Sequence, residues 1–144
     1  MEKITKLNQL VADLHFLNVK FHNLHWNVVG VEFAALHEFT EGAYTDFFEK
    51  YDEVAERLKM LGHFPPASVK EYSNLTCISE LDNKDYTAKE VLNYVEKTFV
   101  YLIKEFTQLR ELANSDDDFI TVGMCEDYIG EFTKNLWFVQ SMKK

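Results

Sequence analysis

The sequence predicts an all-α protein, a four-helix bundle with a long crossover between its second and third helices. Apolar residues recur at alternating steps of three and four in four separate segments, which is the pattern of amphipathic helices packed along their length. The 144 residues include only five glycines and two prolines, too few for a fold with many turns. Because 47% of the residues are hydrophobic, the chain can bury a sizeable core, and we expect a single domain over residues 1–144.

The first two predicted helices cover residues 7–28 and 33–61, where apolar side chains keep the helical spacing. Gly62 directly follows the second helix and is expected to cap its C-terminus. The connection between the two helices is short, so we expect them to be antiparallel neighbours.

The third and fourth predicted helices cover residues 87–113 and 122–139. Thr87 and Glu90 have the spacing of a capping box at the start of the third helix. Residues 114–115 then break the apolar pattern. This connection is also short, so these two helices are expected to be antiparallel neighbours as well.

The connection over residues 63–86 is long enough to cross a bundle of this size. Pro65 and Pro66 suit the beginning of a short helix, and we expect residues 67–75 to form one. The prediction is therefore a bundle with one long crossover that carries a short extra helix.

The chain carries a formal charge of −9, from 24 acidic and 15 basic residues. Affinity for nucleic acid depends on clustered Lys and Arg that release counterions, so this charge disfavours a bare nucleic-acid binder and favours cations as partners. No apolar run approaches the roughly 20 residues of a membrane span, and no signal-like segment opens the chain, so we expect a cytoplasmic protein. Cys77 and Cys125 lack metal-binding spacing and are expected to remain reduced thiols.

One stripe of the second predicted helix carries four potential metal ligands at steps of four, eleven and four: His37, Glu41, Asp52 and Glu56. A step of eleven is close to three full turns, so the stripe stays on one side of the helix. Imidazole nitrogen and carboxylate oxygen together are ligands for iron or zinc. A solvated helix face explains any one of these carboxylates equally well. The whole set, joined by His25, favours a metal site.

One ion cannot be held by all of these residues within one chain. Fifteen residues separate His37 from Asp52, which at 1.5 Å per residue is roughly 22 Å along the helix axis. A turn around Gly30 brings His25 to the same end of the hairpin as His37. Asp52 and Glu56 remain at the other end. A complete site therefore requires a second copy that runs antiparallel along the second helix, related by a two-fold axis, so that each dimer holds two identical sites.

Another type of metal site in helical bundles uses the motif Glu-x-x-His twice within one chain. No glutamate in this sequence has a histidine three residues later. Its absence removes the usual intrachain di-iron site and leaves the interface site as the better candidate.

A set of spaced residues resembles the signature of the Dps family, the mini-ferritins. These residues are His25-Trp26-Asn27, Gly30, Phe33, Leu36-His37, Asp52, Ala55-Glu56-Arg57 and Leu61-Gly62. The helix pattern is similar to that of the family over roughly residues 5–142, and so long a spaced match is specific. The resemblance implies a ferritin-like bundle and homo-oligomeric assembly, with two-fold dimers joined into a hollow dodecamer. It also implies a ferroxidase site between the chains of each dimer.

Carried over by position, the resemblance implies His25 and His37 as iron ligands from one chain, with Asp52 and Glu56 of the partner subunit completing the site. Dps proteins usually have an aspartate one turn after the second histidine. Here the position holds Glu41, a further candidate ligand that keeps the charge and reaches about one methylene farther.

Trp26 resembles the tryptophan beside the site in Dps proteins, which can give up an electron during peroxide chemistry. Packing in the dimer interface is an alternative role for this side chain. The remaining histidines, His15, His22 and His63, lack an acidic partner at ligand spacing and are expected to be packing or surface residues. Arg57 is expected to form an ion pair.

Residues 116–131 contain six acidic side chains and no Lys or Arg. The three aspartates at the start suit a helix N-terminus, where negative charge is favoured by the macrodipole. Glu126, Asp127 and Glu131 lie deeper in the helix. The segment is similar to the one that lines negatively charged three-fold pores in Dps proteins, so these three residues are candidates for an iron uptake route.

Three functions compete on the sequence alone. The leading one is a ferroxidase and iron store that oxidises Fe²⁺, with hydrogen peroxide if the family pattern holds, and deposits ferric mineral inside a shell. The second is a DNA-compacting nucleoid protein, which the short basic ends disfavour, since they supply only Lys3, Lys6, Lys143 and Lys144. The third is a purely structural helical oligomer, in which the stripe on the second helix would be replaceable.

Overall fold

The structure, a computed structural model, describes residues 1–144 and is built almost entirely of helices. Four long helices of 24 to 28 residues and one short helix of 7 residues follow one another along the chain. They are α1 (Glu2–Asn27), α2 (Phe33–Met60), α3 (Val69–Leu75), α4 (Ala88–Ser115) and α5 (Phe119–Met142), with two-residue strands β1 (Val28–Val29) and β2 (Tyr86–Thr87). The prediction of four long helices and a short helix in the crossover is confirmed. None of these helices combines the length and the apolar character that a membrane crossing requires.

Apart from Met1 and Glu2, the chain divides into two compact units. The first unit, Lys3–Ala88, contains α1, α2 and α3, and the second, Lys89–Lys144, contains α4 and α5.

The apolar face predicted for α1 is buried in full. Its members, spaced by three and four residues, all have a relative exposure of 1% or less: Leu7, Leu10, Leu14, Leu17, Phe21, Leu24 and Val28. Helix α2 follows its predicted pattern from Leu36 to Leu58, but Phe33 remains 42% exposed. The ring of Phe33 stacks on the imidazole of His37 with centroids 4.9 Å apart, so its apolar surface covers a potential ligand instead of filling the core.

Helix α2 ends in a Schellman motif centred on Gly62. The amide of Gly62 donates to the carbonyl of Lys59 at 3.0 Å, and the amide of His63 donates to the carbonyl of Leu58 at 2.9 Å. This geometry needs the left-handed φ of +87° that Gly62 adopts without a steric penalty.

The crossover is hydrogen-bonded to a buried carboxylate on α1. Asp13 is fully buried and accepts hydrogen bonds from Thr76 Oγ1 at 2.7 Å and from the Cys77 amide at 2.8 Å. Helix α3 begins at Val69, later than expected, because Ser68 caps it and accepts a hydrogen bond from the Glu71 amide. The far end of the crossover pairs with the end of α1 through the parallel strands β1 and β2.

In the second unit a tight turn joins α4 to α5, and two ion pairs stabilise the unit. Asp117 takes a φ of 57°, and Asp118 caps α5 by accepting from the Thr121 amide, so α5 begins three residues before the predicted start at residue 122. Arg110 bonds Glu126 at 3.0 Å, and Lys143 bonds Glu96 at 2.6 Å.

The two cysteines are free, as the sequence predicted. Cys77 is exposed, whereas Cys125 is buried in the second unit. Burial, with the negative charge of Asp118 next, raises the pKa of the Cys125 thiol to about 12. The thiol therefore stays protonated at neutral pH and is a poor nucleophile.

We predict that Gly62→Ala lowers the free energy of unfolding by about 1 to 2 kcal/mol, because the added Cβ is disfavoured at a left-handed φ. No heavy atom lies within 4 Å of the added Cβ, so the loss would come from the backbone alone. The matched control is Gly130→Ala inside α5, which also meets no atom and should stabilise by about 0.5 to 1 kcal/mol through helix propensity. Denaturation followed by circular dichroism at one protein concentration measures both, and changes of the same sign would contradict the assignment.

Candidate metal centre

Two histidines from different helices lie face to face at one end of the first hairpin. His25 occupies the last turn of α1, and His37 lies near the start of α2. The turn between the helices passes through Gly30, whose φ of +111° is accessible to glycine. The imidazole rings stack with centroids 3.6 Å apart and an interplanar angle of 17°.

Each of these rings is held by the backbone of the other residue. His25 Nδ1 lies 2.6 Å from the carbonyl oxygen of His37, and His37 Nδ1 lies 2.8 Å from the carbonyl oxygen of His25. A carbonyl oxygen only accepts, so both Nδ1 atoms must donate a proton. The neutral rings then carry their lone pairs on Nε2, the atom that a metal would bind.

A carboxylate joins this pair one turn farther along α2. Glu41 Oε1 lies 3.9 Å from His25 Nε2, and the candidate ligand atoms of His25, His37 and Glu41 all lie within 4.8 Å of one another. A neutral Nε2 and a carboxylate oxygen both present lone pairs, so a cation between them relieves their repulsion. Two ligands of one ion with bonds of about 2.1 Å are separated by roughly 3 to 3.5 Å. A small rotation of the exposed Glu41 side chain would close that gap.

Three neighbours fix the histidine rings, and none of them was predicted from the sequence to do so. Thr40 is buried, donates to the Leu36 carbonyl at 2.7 Å and lies 3.4 Å from His25 Nδ1. Tyr44 meets the His25 ring edge-on at 5.2 Å, and Phe33 covers His37. The only signal in the sequence was that these three residues lie on the same side of α2 as His37. That position does not show that His25, on α1, packs against them.

The structure does not bring Asp52 and Glu56 to this cluster. Both side chains are exposed on α2, and the group that could hold a metal ion consists of His25, His37 and Glu41. Helix α2 is continuous from Phe33 to Met60, so the roughly 22 Å rise between His37 and Asp52 applies to the folded chain.

Trp26 is 68% exposed and contacts His22, with ring centroids 5.4 Å apart. The tyrosine that touches the candidate ligand His25 is Tyr44, which also stacks on His22 at 3.6 Å. His22 Nδ1 is hydrogen-bonded to the Asn18 carbonyl at 2.7 Å. His22 therefore lies in a packed aromatic group beside the ligand cluster.

The remaining candidates lie away from the cluster. His15 packs against tyrosine rings, and Arg57 points its Nη1 atom at the Met60 sulfur at 3.8 Å. Of the candidate pore acids, Glu126 bonds Arg110, whose guanidinium pKa is raised by its hydrogen bonds to Glu126 and Glu111. Asp127 and Glu131 are exposed on α5.

Comparison with known proteins identifies the family. The ferritin-like domain family matches residues 4–144. Antigen TpF1 of Treponema pallidum is 38% identical over 139 residues, which cover 96% of this chain and 78% of the relative. The DNA protection during starvation protein of Helicobacter pylori is 32% identical over 98% of both chains.

Solved structures agree closely with this fold. The crystal structure of antigen TpF1 superposes with a TM-score of 0.96 at 37% identity and covers 99% of this chain and 92% of that one. A Dps protein from Bacillus brevis has a TM-score of 0.94 at 32% identity, with coverages of 99% and 95%. The predicted ferritin-like fold is thereby confirmed, and the chain belongs to the ferritin-like family and, within it, to the Dps proteins.

Proposed function

We propose that this protein is a ferroxidase that oxidises Fe²⁺ at sites shared between two chains and stores the product as ferric mineral inside a hollow shell. Membership of the Dps family supports the general role in iron storage and protection against oxidation. The observation that carries the proposal is the histidine pair, whose Nε2 lone pairs are set by the reciprocal Nδ1 hydrogen bonds and face the Glu41 carboxylate.

Iron is the substrate in this proposal, and the residues bind and orient it. Two imidazole nitrogens and one carboxylate leave coordination positions open, so an oxidant can reach the ion. With hydrogen peroxide as the oxidant, two Fe²⁺ ions each give up one electron, the O–O bond breaks, and two protons complete two water molecules. Because peroxide takes both electrons, no hydroxyl radical is released. Acidic inner walls would then nucleate the ferric mineral.

Helix α2 supports a site completed by a second chain. Its exposed stripe runs from the histidine end through Phe48, which is 60% exposed, to Asp52 and Glu56. Phe48 lies close to the midpoint between His37 and Glu56. In an antiparallel dimer that places each histidine pair against the carboxylates of the other chain, the two-fold axis would pass near this midpoint. An exposed phenylalanine at that position suits a dimer contact.

Assembly of such dimers into a dodecamer is part of the proposal and follows the family pattern. The exposed Asp127 and Glu131 carboxylates on α5 are the candidates for the iron uptake pores, because clustered negative charge attracts cations. Glu126 is the third candidate, and its carboxylate forms an ion pair with Arg110.

We predict that His37→Ala and Asp52→Ala each lower the initial rate of Fe²⁺ oxidation by at least about tenfold, since even loss of an outer-shell partner of a metal ligand costs roughly 10- to 100-fold. Helix content should persist, because neither side chain belongs to the buried apolar core. The rate is followed by the absorbance of ferric product after peroxide is added anaerobically.

His63→Ala and Glu80→Ala are the matched controls for these variants. Each removes a side chain of the same chemical kind outside the cluster, and each should oxidise iron at the wild-type rate. Near-normal rates in His37→Ala or Asp52→Ala would eliminate the assigned site.

Subunit complementation tests whether the site is shared. A chain that lacks both His25 and His37 and a chain that lacks both Asp52 and Glu56 should each be inactive alone. After co-refolding in equal amounts, half of the dimers are mixed, and one of the two sites in each mixed dimer is complete. We expect about a quarter of the wild-type activity if pairing is random. An intrachain site predicts no recovery, so inactivity in a sample that mass spectrometry shows to contain mixed dimers would reject the shared site.

DNA compaction is the competing function, and the structure offers little positive charge for it. Lys3 and Lys6 lie within α1, and Lys143 is bonded to Glu96. We predict no stoichiometric complex with duplex DNA in a gel shift at about 0.15 M salt and neutral pH, because the chain carries a charge of −9. A defined shifted band under those conditions would favour the nucleoid function.

The third possibility, a structural oligomer, is tested by the same ligand variants. In that case the polar residues of the stripe on α2 could be substituted without loss of function, and the wild-type protein itself would not accelerate iron oxidation.

A further inference from the structure

Two tyrosines meet through their hydroxyl groups in the first unit, away from the histidine cluster. The phenol oxygen of Tyr51, on α2, is hydrogen-bonded to that of Tyr72, on α3. The ring centroids are 5.7 Å apart, and the planes are inclined at 78°. Tyr72 is 6% exposed and Tyr51 is half-buried. The contact therefore joins the crossover helix to the helix that carries the candidate ligands.

A histidine lies against both phenol rings. The His15 ring is 4.6 Å from the Tyr72 ring and 5.6 Å from the Tyr51 ring, measured between centroids. Burial lowers the pKa of His15, so its imidazole is neutral at pH 7 and can act as a base. Phe16 and Phe48 complete the surrounding aromatic group.

We propose that Tyr51 and Tyr72 form an oxidation site at which the two phenols couple into an intrachain dityrosine cross-link. Phenols are among the side chains most easily oxidised by one electron. Two phenoxyl radicals join through the ring carbons next to their oxygens. The hydrogen bond between the hydroxyls brings together the oxygen-bearing ends of the two rings, which are the ends that carry the coupling carbons.

The reaction balances with hydrogen peroxide as the final oxidant and Fe²⁺ as the catalyst that activates it. Each phenol loses one electron and one proton, and one carbon–carbon bond forms between the rings. The two displaced ring protons move to the phenol oxygens, which restores both hydroxyls. Peroxide accepts the two electrons and two protons and becomes two water molecules. The phenol protons can leave through the neutral His15 imidazole or through solvent at the half-exposed Tyr51.

The source of the oxidant rests on the proposed ferroxidase function, whereas the coupling itself rests on the contact between the tyrosines. Tyr51 directly precedes Asp52, so this pair would lie beside the carboxylate half of a shared site. Both phenols belong to one chain, so the coupling needs no contact with a second copy. The product would fix α3 to α2 by a covalent bond and would absorb oxidising equivalents when peroxide is in excess over the Fe²⁺ that reduces it.

The sequence makes the cross-link easy to identify. Trypsin releases Tyr51 in the peptide of residues 51–57 and Tyr72 in the peptide of residues 71–84, and each peptide contains a single tyrosine. The assembled full-length protein is treated in one arm with Fe²⁺ and a slight excess of peroxide. In the other arm it is treated with a photochemical one-electron oxidant, a ruthenium complex with persulfate. Dityrosine fluorescence and the mass of the joined peptides, two hydrogen atoms below their sum, are measured.

We expect the joined peptides in both arms for the wild type and their loss in Tyr51→Phe and in Tyr72→Phe. Tyr94→Phe, which removes a hydroxyl from α4, should leave them unchanged. In a co-refolded mixture of ordinary and ¹⁵N-labelled chains, both peptides of each joined pair should carry the same label. Pairs of mixed label would overturn the intrachain assignment.

The two arms separate this inference from the proposed function. Absence of the joined peptides in the photochemical arm would reject the tyrosine pair whatever the iron chemistry. Their absence in the iron arm, while Fe²⁺ is oxidised normally, would reject the link to peroxide turnover. Failure of the wild type to oxidise Fe²⁺ would count against the ferroxidase proposal. The photochemical arm would still test whether Tyr51 and Tyr72 couple.

Discussion

The candidate metal centre depends on one reciprocal interaction, in which His25 and His37 each donate a ring N–H to the other's backbone carbonyl. These two hydrogen bonds join the end of α1 to the start of α2, and they also select the tautomer of both rings. A histidine ligand without such a partner must choose between tautomers and orientations when a metal arrives, which weakens binding. Here the same hydrogen bonds that close the hairpin orient both candidate nitrogen ligands.

The surrounding residues protect this interaction from competition by water. Thr40 satisfies the Leu36 carbonyl and lies against His25, and Phe33 covers the outer face of His37. The exposure of Phe33 has a local cause, since its ring stacks on the candidate ligand His37. Only Glu41 remains exposed in the cluster, so the carboxylate is the part of the site that is free to adjust to an ion.

Most of the fold could be predicted from the sequence because helices follow from the local spacing of apolar residues. The cap at Gly62 was also predictable, since it depends on a few adjacent residues. The position of His25 beside His37 followed from the short hairpin. Three features did not follow from the sequence: the ring tautomers, the role of Thr40 and the contact between Tyr51 and Tyr72. They depend on how consecutive helices are rotated relative to one another, which local spacing does not fix.

The continuity of α2 has the largest consequence for function. A break in this helix would let Asp52 fold back toward the histidines, but the helix is unbroken from Phe33 to Met60 and keeps them roughly 22 Å apart. If Asp52 and Glu56 are ligands, they can serve only a neighbouring chain. Iron oxidation would then begin only after two chains have met, so oxidation and the formation of the storage shell would be linked by the rigidity of one helix.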